Sequence, residues 1–369
     1  MYQFGFLTLL ATRLQELAYE HGFSQCGVVD LETYAGHLEQ LEEFLRKGYH
    51  GEMAWLARRA YERSHPKHLW PQAKSAFVVA ANYGSGHDVF EDMSSGEHAY
   101  ISVYARRKDY HDVLKKKLKN LVQACIDEGY QAKLFVDTAP LMEKPLAAQA
   151  GIGWQGKHTN LVSRQFGSWL FLGVVLTDAY LPANAESTDH CGQCRACMDI
   201  CPTQAIPEPY KLNAQRCLAY LSIEYKGVIP RVYRRAMGNR VFGCDDCLAI
   251  CPWNKFAKAS GGEREYLRGL PLRDLVGLSD ADFRKFFAGT SIKRTGRDAF
   301  VRNVLIALAN YGDVKNLDVV KLRTRDKNPV VRAHAVAAWK VLDQQDFDQF
   351  SSALYPYEQN ALVLEELFH

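Results

Sequence analysis

Cys191-Gly192-Gln193-Cys194-Arg195-Ala196-Cys197-Met198-Asp199-Ile200-Cys201-Pro202 decides how this chain is read. Three thiolates at such short intervals wrap three corners of an iron–sulfur cube. The fourth cysteine, carried onward by proline, is directed at a different cluster. A partner run follows downstream, Cys244-Asp245-Asp246-Cys247-Leu248-Ala249-Ile250-Cys251-Pro252, and Cys217 stands between the two. Counting then closes two groups of four. Cys191, Cys194, Cys197 and Cys251 are expected to hold one 4Fe–4S cluster, and Cys201, Cys217, Cys244 and Cys247 the other. Structural zinc also uses Cys-x-x-Cys pairs, but zinc sites rarely carry three cysteines in tandem plus Cys-Pro.

The remaining two of the ten cysteines, Cys26 and Cys125, lie in the strand and helix patterns upstream and are read as small buried apolar residues, not ligands. A small secreted domain would use such a count for disulfides. This chain has 369 residues, and its apolar start, Met1 to Ala11, lacks a basic n-region and runs into Arg13, Glu16 and Glu20 at helical spacing. Reduced metal-binding thiols in the cytoplasm are therefore expected. The length implies about two or three domains. An apolar content of 47% and a charged content of 24% exclude disordered and fibrous classes. The formal net charge of +3 means that a nucleic-acid partner has to be met by a local patch. No run of about 18 uncharged apolar residues exists to span a bilayer.

Upstream of the cysteines, helical and strand patterns alternate. Leu7, Leu10, Leu14 and Leu17 recur at helix spacing, and Ser24 to Asp30 reads as a short buried strand. Ser75 to Tyr83, Lys133 to Asp137 and Ser168 to Thr177 read as further strands, with an amphipathic helix over Asp109 to Gly129. This alternation implies an α/β sheet domain. Downstream of Pro252 the chain turns helical. Val301 to Ala309 and Val331 to Trp339 match at an offset of 30 residues, and Asp326-Lys327-Asn328-Pro329 opens the second helix. A short HEAT-like repeat is expected, with two unrelated alanine-rich helices as the alternative. The expected domains are residues 1–180, 181–260 and 261–369: an α/β domain, a ferredoxin-like module with two 4Fe–4S clusters and a HEAT-like helical domain. Two clusters beside an α/β domain form a wire that feeds something bound there.

The order of motifs resembles the epoxyqueuosine reductases, cobalamin and iron–sulfur enzymes of the last step of queuosine synthesis in tRNA. The resemblance is carried by Lys108-Asp109-Tyr110-His111, Val136-Asp137-Thr138-Ala139-Pro140, Ala150-Gly151-Ile152-Gly153-Trp154, Gly156-Lys157-His158-Thr159-Asn160-Leu161, Leu212-Asn213-Ala214-Gln215-Arg216-Cys217 and Gly238-Asn239-Arg240, together with both cysteine runs. Arg107 and His65 depart from the family pattern. The fold it implies is nitroreductase-like and reductive dehalogenase-like, with cobalamin in the α/β domain. It implies contacts to cobalamin from Arg63, Ser102, His158, Leu161, Leu172 and Ser222. It makes Asp137 the proton donor for the leaving epoxide oxygen, also placed against cobalamin. Asp137 as an N-cap for a helix starting at Leu141 is the alternative. A carboxyl of ordinary pKa about 3.9 has to be raised by burial to hold a proton near neutrality. Asp109-x-His111-x-x-Leu114 is similar to a base-off cobalamin motif but lacks its glycine, so His111 is read as a surface residue.

For the tRNA, Lys226, Arg231, Arg234, Arg235 and Arg240 lie in a stretch free of acids, interleaved with Tyr225 and Tyr233. Such a stretch suits an anticodon stem-loop whose unstacked bases can be splayed out. Arg302 and Arg332 serve either as backbone contacts or as braces between helices. Lys115, Lys116, Lys117 and Lys119 read as a solvated helix face. A monomer supplied by an electron-donor protein or reductant is expected. The other classes are a reductive dehalogenase of small organohalides and a non-catalytic electron-transfer module.

Overall fold

Four apolar runs pair into one antiparallel sheet: β1 (Gln25–Asp30), β2 (Ser75–Asn82), β3 (Ala132–Phe135) and β4 (Leu170–Thr177), in the spatial order β1-β2-β4-β3. The computed structural model describes residues 2–353, 356 and 358–368, with side chains from residue 7 onward, so Met1 of the apolar start lies outside the described residues. β2 and β4 run in register from Ser75 opposite Thr177 to Asn82 opposite Leu170. Both central strands are buried on two faces, which is why they read as continuous apolar runs rather than as alternation. The period of two still sorts them. Ala76, Val78 and Ala80 pack with Leu141, Leu146 and Ala147 on one face, while Phe77 and Val79 pack with Leu14, Leu114 and Leu118 on the other.

Two helices matter to the site. α1 (Tyr110–Asp127) starts at Asp109, whose side chain accepts from the His111 amide, and Gly129 follows its end at φ 85°. α2 (Glu143–Gln149) presses the carbonyl of Ala150 onto β1, where a Cβ on Gly27 would stand 2.0 Å from that oxygen. Glycine at position 27 is what permits the approach.

The chain forms two compact units that interleave along the sequence. The first comprises Met1–Gly86, Asp109–Gln215 and Asp246–Gly261, and the second His87–Lys108, Arg216–Asp245 and Gly262–His369. Long-range strand pairing explains the excursion of residues 87–108. His98–Ile101 pairs in parallel with Arg240–Phe242 and antiparallel with Leu270–Pro271. The Asn239 Nδ2 amide donates its two hydrogens among the carbonyls of Asp92, Ser95 and His98, all within 3.0 Å.

In the second unit, α3 (Arg297–Tyr311) and α4 (Pro329–Leu342) carry the two matched segments and share one apolar core. Asn328 caps α4 by accepting from the amides of Val330 and Val331, with Pro329 in the first turn. Arg302 is fully buried and donates to the carbonyls of Leu221, Tyr225 and Gly227. Arg332 holds Glu358 and the carbonyls of Asp326 and Lys327. A buried guanidinium is tolerated only when its donors are satisfied. Both arginines are therefore braces, and the reading of them as RNA contacts is set aside. Among the described residues no helix is long and apolar enough to cross a membrane.

Candidate functional site

Cys191, Cys194, Cys197 and Cys251 line one cavity of about 340 Å³, the quartet expected from the two Cys-Pro runs. Short elements aim them. Gly192 takes φ 48° in the first loop, Cys197 lies on the turn Ala196–Asp199, and Cys251 is extended before the 3-10 turn Pro252–Phe256. Lys157 clamps the loop by donating to the carbonyls of Gly192 (2.6 Å) and Cys194 (2.9 Å). Trp154 donates from Nε1 to the Cys191 sulfur at 3.4 Å, and its ring meets Trp253 edge-on at 5.0 Å.

The chemistry of this donor set fits a cluster. Burial raises the pKa of Cys191, Cys197 and Cys251; the Cys197 thiol reaches about 11 because neighbouring thiolates add to its desolvation. Four thiolates in one hole repel one another, and a cationic iron core offsets that repulsion. Of the other four cysteines, Cys201 and Cys247 belong to the first unit and Cys217 and Cys244 to the second. Cys125 is buried, as expected, whereas Cys26 is only half-buried at the edge of the same core; burial is the first cause that pushes both up to about 11.

Asp137 lies just past β3 on the segment before α2 and adopts φ 51°, in the left-handed region. Its backbone amide donates to Oε1 of Glu143 at 2.7 Å. The helix begins at Glu143, not Leu141, with Met142 at the cap position, so the capping reading of Asp137 is excluded. The Asp137 side chain is 58% exposed, and its Oδ2 accepts a short hydrogen bond from the Tyr110 hydroxyl. Nε2 of His111 stands 3.6 Å from the same oxygen.

Here the structure corrects two expectations. His111 is not a surface residue: it is 8% exposed, because Asp109 at the helix start draws Nδ1 in at 2.7 Å while the ring stacks on Tyr110. Tyr110 in turn stacks on Phe171, 4.5 Å away and nearly parallel. Nor is the Asp137 carboxyl raised. Crowding pushes it up, but the hydrogen bonds from His111 and Tyr110, and the charges of His111 and Lys144, more than offset that and hold it below the usual carboxylate range. The proton sits elsewhere. Burial pushes His111 down, yet Asp109 and Asp137 together raise it to about 9. Burial and then the Asp137 charge push Glu143 up to about 8. Asp-x-His at a helix start was the signal for His111; Glu143 left none.

The residues expected against cobalamin fare unevenly. Arg63 lies over the Trp55 ring at 5.1 Å, and its buried Nε has no hydrogen-bond partner among the described residues. Such an orphaned donor fits a polar group arriving from outside the chain. His158 is buried and held neutral, its pKa lowered to about 4 by burial and then by Lys144, and it also lines the four-cysteine cavity. Leu161 and Leu172 belong to the core beneath the sheet. In the second unit, Ser102 donates to Asp245, and Ser222 accepts from the Gly243 amide while donating to the Ala219 carbonyl.

The basic stretch is less free than its sequence implies. Lys226 donates to the Ile223 carbonyl and to both oxygens of Thr295. Arg234 forms a two-pronged pair with Glu366, which also draws in Arg231. Arg240 reaches the Met237 carbonyl and the Met93 sulfur. The neutralising acid comes from the C-terminal helix α5 (Ala361–Phe368), more than a hundred residues away in sequence. Arg235 is exposed and lines a groove of about 340 Å³ with Arg231, Arg234 and Lys340.

Comparison with known proteins places this geometry. Residues 63–138 match the family described as "Epoxyqueuosine reductase QueG, DUF1730", and residues 190–254 match the "4Fe-4S double cluster binding domain". The chain is similar to the epoxyqueuosine reductase of Xanthomonas campestris pv. campestris, with 39% identity over 335 residues, 88% of this chain and 94% of that one. It is also similar to a crystal structure of epoxyqueuosine reductase with an epoxyqueuosine-modified tRNA-Tyr stem loop, at TM-score 0.90 and 27% identity over 98% of each chain. A third likeness, at TM-score 0.88 and 26% identity over 98% of each chain, is to the Bacillus subtilis epoxyqueuosine reductase with its catalytic aspartate loop swung out of the active site.

Proposed function

The chain belongs to the epoxyqueuosine reductase family, and from that premise we propose that it reduces epoxyqueuosine to queuosine at the wobble position of tRNA, with Asp137 delivering a proton to the leaving oxygen. It is an oxidoreductase with a 4Fe–4S binding domain. Reducing an epoxide to an alkene removes one oxygen as water and consumes two electrons and two protons. The oxygen leaves more readily when protonated, so the chain has to hold an acid beside it.

The observation that carries the reading is the series Asp109–His111–Asp137 at the start of α1 and the loop after β3, in which His111 Nδ1 is hydrogen-bonded to Asp109 at 2.7 Å and its Nε2 faces Oδ2 of Asp137 at 3.6 Å. Asp109 holds His111 protonated, and His111 faces the carboxylate oxygen from which the proton leaves. Asp137 thus acts as the terminal member of a relay and is recharged from His111 Nε2. Tyr110 fixes the Oδ2 rotamer. The Bacillus subtilis relative has a catalytic loop named for an aspartate, which supports a catalytic role for the loop bearing Asp137.

Cobalamin supplies a strongly reducing cobalt centre when bound, and the residues that would hold it are Arg63, through its unpaired Nε, and His158, with Leu161 and Leu172 as apolar floor. The cavity of Cys191, Cys194, Cys197 and Cys251 would hold one 4Fe–4S cluster, and Cys201, Cys217, Cys244 and Cys247 remain by count for the second. The helices α3 and α4 read as a HEAT-like pair, and Arg235 with Arg231 as the cations that meet the tRNA stem-loop. A monomer in the reducing cytoplasm, served by an electron-donor protein, suits these thiols. Anaerobically reconstituted protein with cobalamin and a strong reductant should convert an epoxyqueuosine-bearing tRNA stem-loop to its queuosine form. Recovery of unchanged substrate overturns the reading.

A further inference from the structure

We propose that Glu143 is the positioning residue of the Asp137 loop: its Oε1 takes the Asp137 amide hydrogen and so latches the left-handed turn that presents the Asp137 carboxylate to Tyr110 and His111. The catalytic consequence rests on reading Asp137 as the proton donor; the latch itself concerns only the loop.

The loop leaves β3 after Phe135, and within it the Thr138 amide donates to the Val136 carbonyl and the Leu141 amide to the Ala139 carbonyl. Those bonds tighten the segment without anchoring it. A non-glycine residue at positive φ costs energy and persists only where its surroundings hold it. Asp137 stands at φ 51° with an exposed side chain, so the strain is not repaid by burial of that side chain. The amide bond to Glu143 ties the strained residue to the first turn of α2. The rest of α2 is fixed by Leu146 and Ala147 in the core under the sheet. The Asp137 turn is thereby referred to a rigid element, which is what a catalytic carboxylate requires.

The charge arrangement makes this latch sensitive to pH. Glu143 faces Asp137, with His111 and Lys144 as nearby cations, Asp109 behind His111, and Arg63 also within reach of Asp137. Burial and the Asp137 charge push Glu143 up to about 8 from an ordinary 4.5, so near neutrality it accepts the amide as a neutral acid. The sign follows from the raised value. The stability of this loop arrangement is fully present below 4.5 and is lost as pH rises through about 8, where two carboxylates come to face each other.

The test compares Glu143→Gln and Glu143→Leu in the cofactor-loaded protein, with Asp137→Asn alongside. Hydrogen exchange of the 136–142 segment reads the latch; turnover of an epoxyqueuosine-bearing stem-loop, split into kcat and KM, reads its consequence. Glu143→Gln keeps the acceptor and cannot ionise, so at neutral pH protection and kcat should stay near wild type, and the protection of 136–142 should persist above pH 8, where that of wild type declines. Glu143→Leu should exchange faster and lose kcat on the order of 10²-fold at unchanged KM, the scale of a misplaced catalytic group. Wild-type exchange and kcat in Glu143→Leu overturn the proposal. So does a Glu143→Gln variant whose alkaline loss of 136–142 protection matches wild type, and that arm decides the matter should the leucine variant fail to fold. Normal turnover by Asp137→Asn instead removes the donor reading, while the exchange measurements still decide the latch.

Discussion

Nε2 of His111 faces Oδ2 of Asp137 at 3.6 Å, and the two groups move in opposite directions: the imidazole is raised to about 9 and the carboxyl is held low. At neutral pH the transferable proton therefore rests on the histidine. The carboxylate is the delivery point, and Asp109, 2.7 Å from Nδ1, is what keeps the histidine charged.

Asp109→Asn should bring His111 down toward its ordinary 6.5, read by NMR titration of the ring, and move the alkaline loss of turnover to lower pH. The sign is that of a raised base. Its contribution is fully present below 6.5 and is lost as pH rises through about 9 in the wild type. An unchanged His111 titration in the variant sinks the relay.

Cys251→Ala should remove one ligand from the cavity shared with Cys191, Cys194 and Cys197. Two intact clusters carry about eight irons on the four-per-cluster count, and the variant should fall toward about four while the other cluster keeps its spectrum. Eight irons in the variant, or stoichiometric zinc in the wild type, contradicts the assignment.

What the sequence made legible was local. The strands at Gln25–Asp30 and Ser75–Asn82 and the helix over Tyr110–Asp127 follow from apolar period and glycine punctuation, each within a residue or two. Of the four cysteines around the cavity, the spacing of Cys191, Cys194 and Cys197 is local, whereas Cys251 was placed with them from the Cys-Pro ending of the first run and the count of the cysteines. Long-range partners were not. No pattern near Arg234 announces Glu366, and none near residues 87–108 announces pairing with Arg240–Phe242. His111 was passed over because exposure was inferred from its own helix, while its burial comes from Asp109 and the Tyr110–Phe171 stack.

Arg235 and Arg234 should separate in a tRNA-binding assay. Arg235→Glu should weaken stem-loop binding and flatten its salt dependence, since each lost phosphate contact removes about one unit of slope, with no change in melting. Arg234→Glu sets two carboxylates against each other where Glu366 is only 7% exposed, and should destabilise the protein by on the order of 3 kcal/mol. Identical binding and salt slope for Arg235→Glu would return that face to ordinary solvation.

Asp137→Asn should bind both cofactor classes yet lose turnover by about 10²–10⁴-fold, the usual cost of removing a general acid. The substitution is conservative in every other respect. Asparagine tolerates the left-handed φ of 51°, its amide oxygen still accepts from Tyr110, and the backbone amide that Glu143 holds is unchanged. No helix cap is lost, because α2 starts at Glu143 with Met142 before it. The variant gives up the charge pairing of Asp137 with His111 and Lys144, which for so exposed a carboxylate should cost no more than about 1 kcal/mol. The variant also removes one of the two carboxylates that raise His111, so the imidazole should titrate below about 9 while Asp109 still keeps it above 6.5. That shift is measured by NMR without any turnover, so it separates the relay from a simple loss of folding. Conversion is then measured with a strong reductant in excess, which keeps electron supply from limiting the rate. Near-normal conversion together with an unshifted His111 would falsify the donor role and leave Asp137 as a loop residue held by Tyr110.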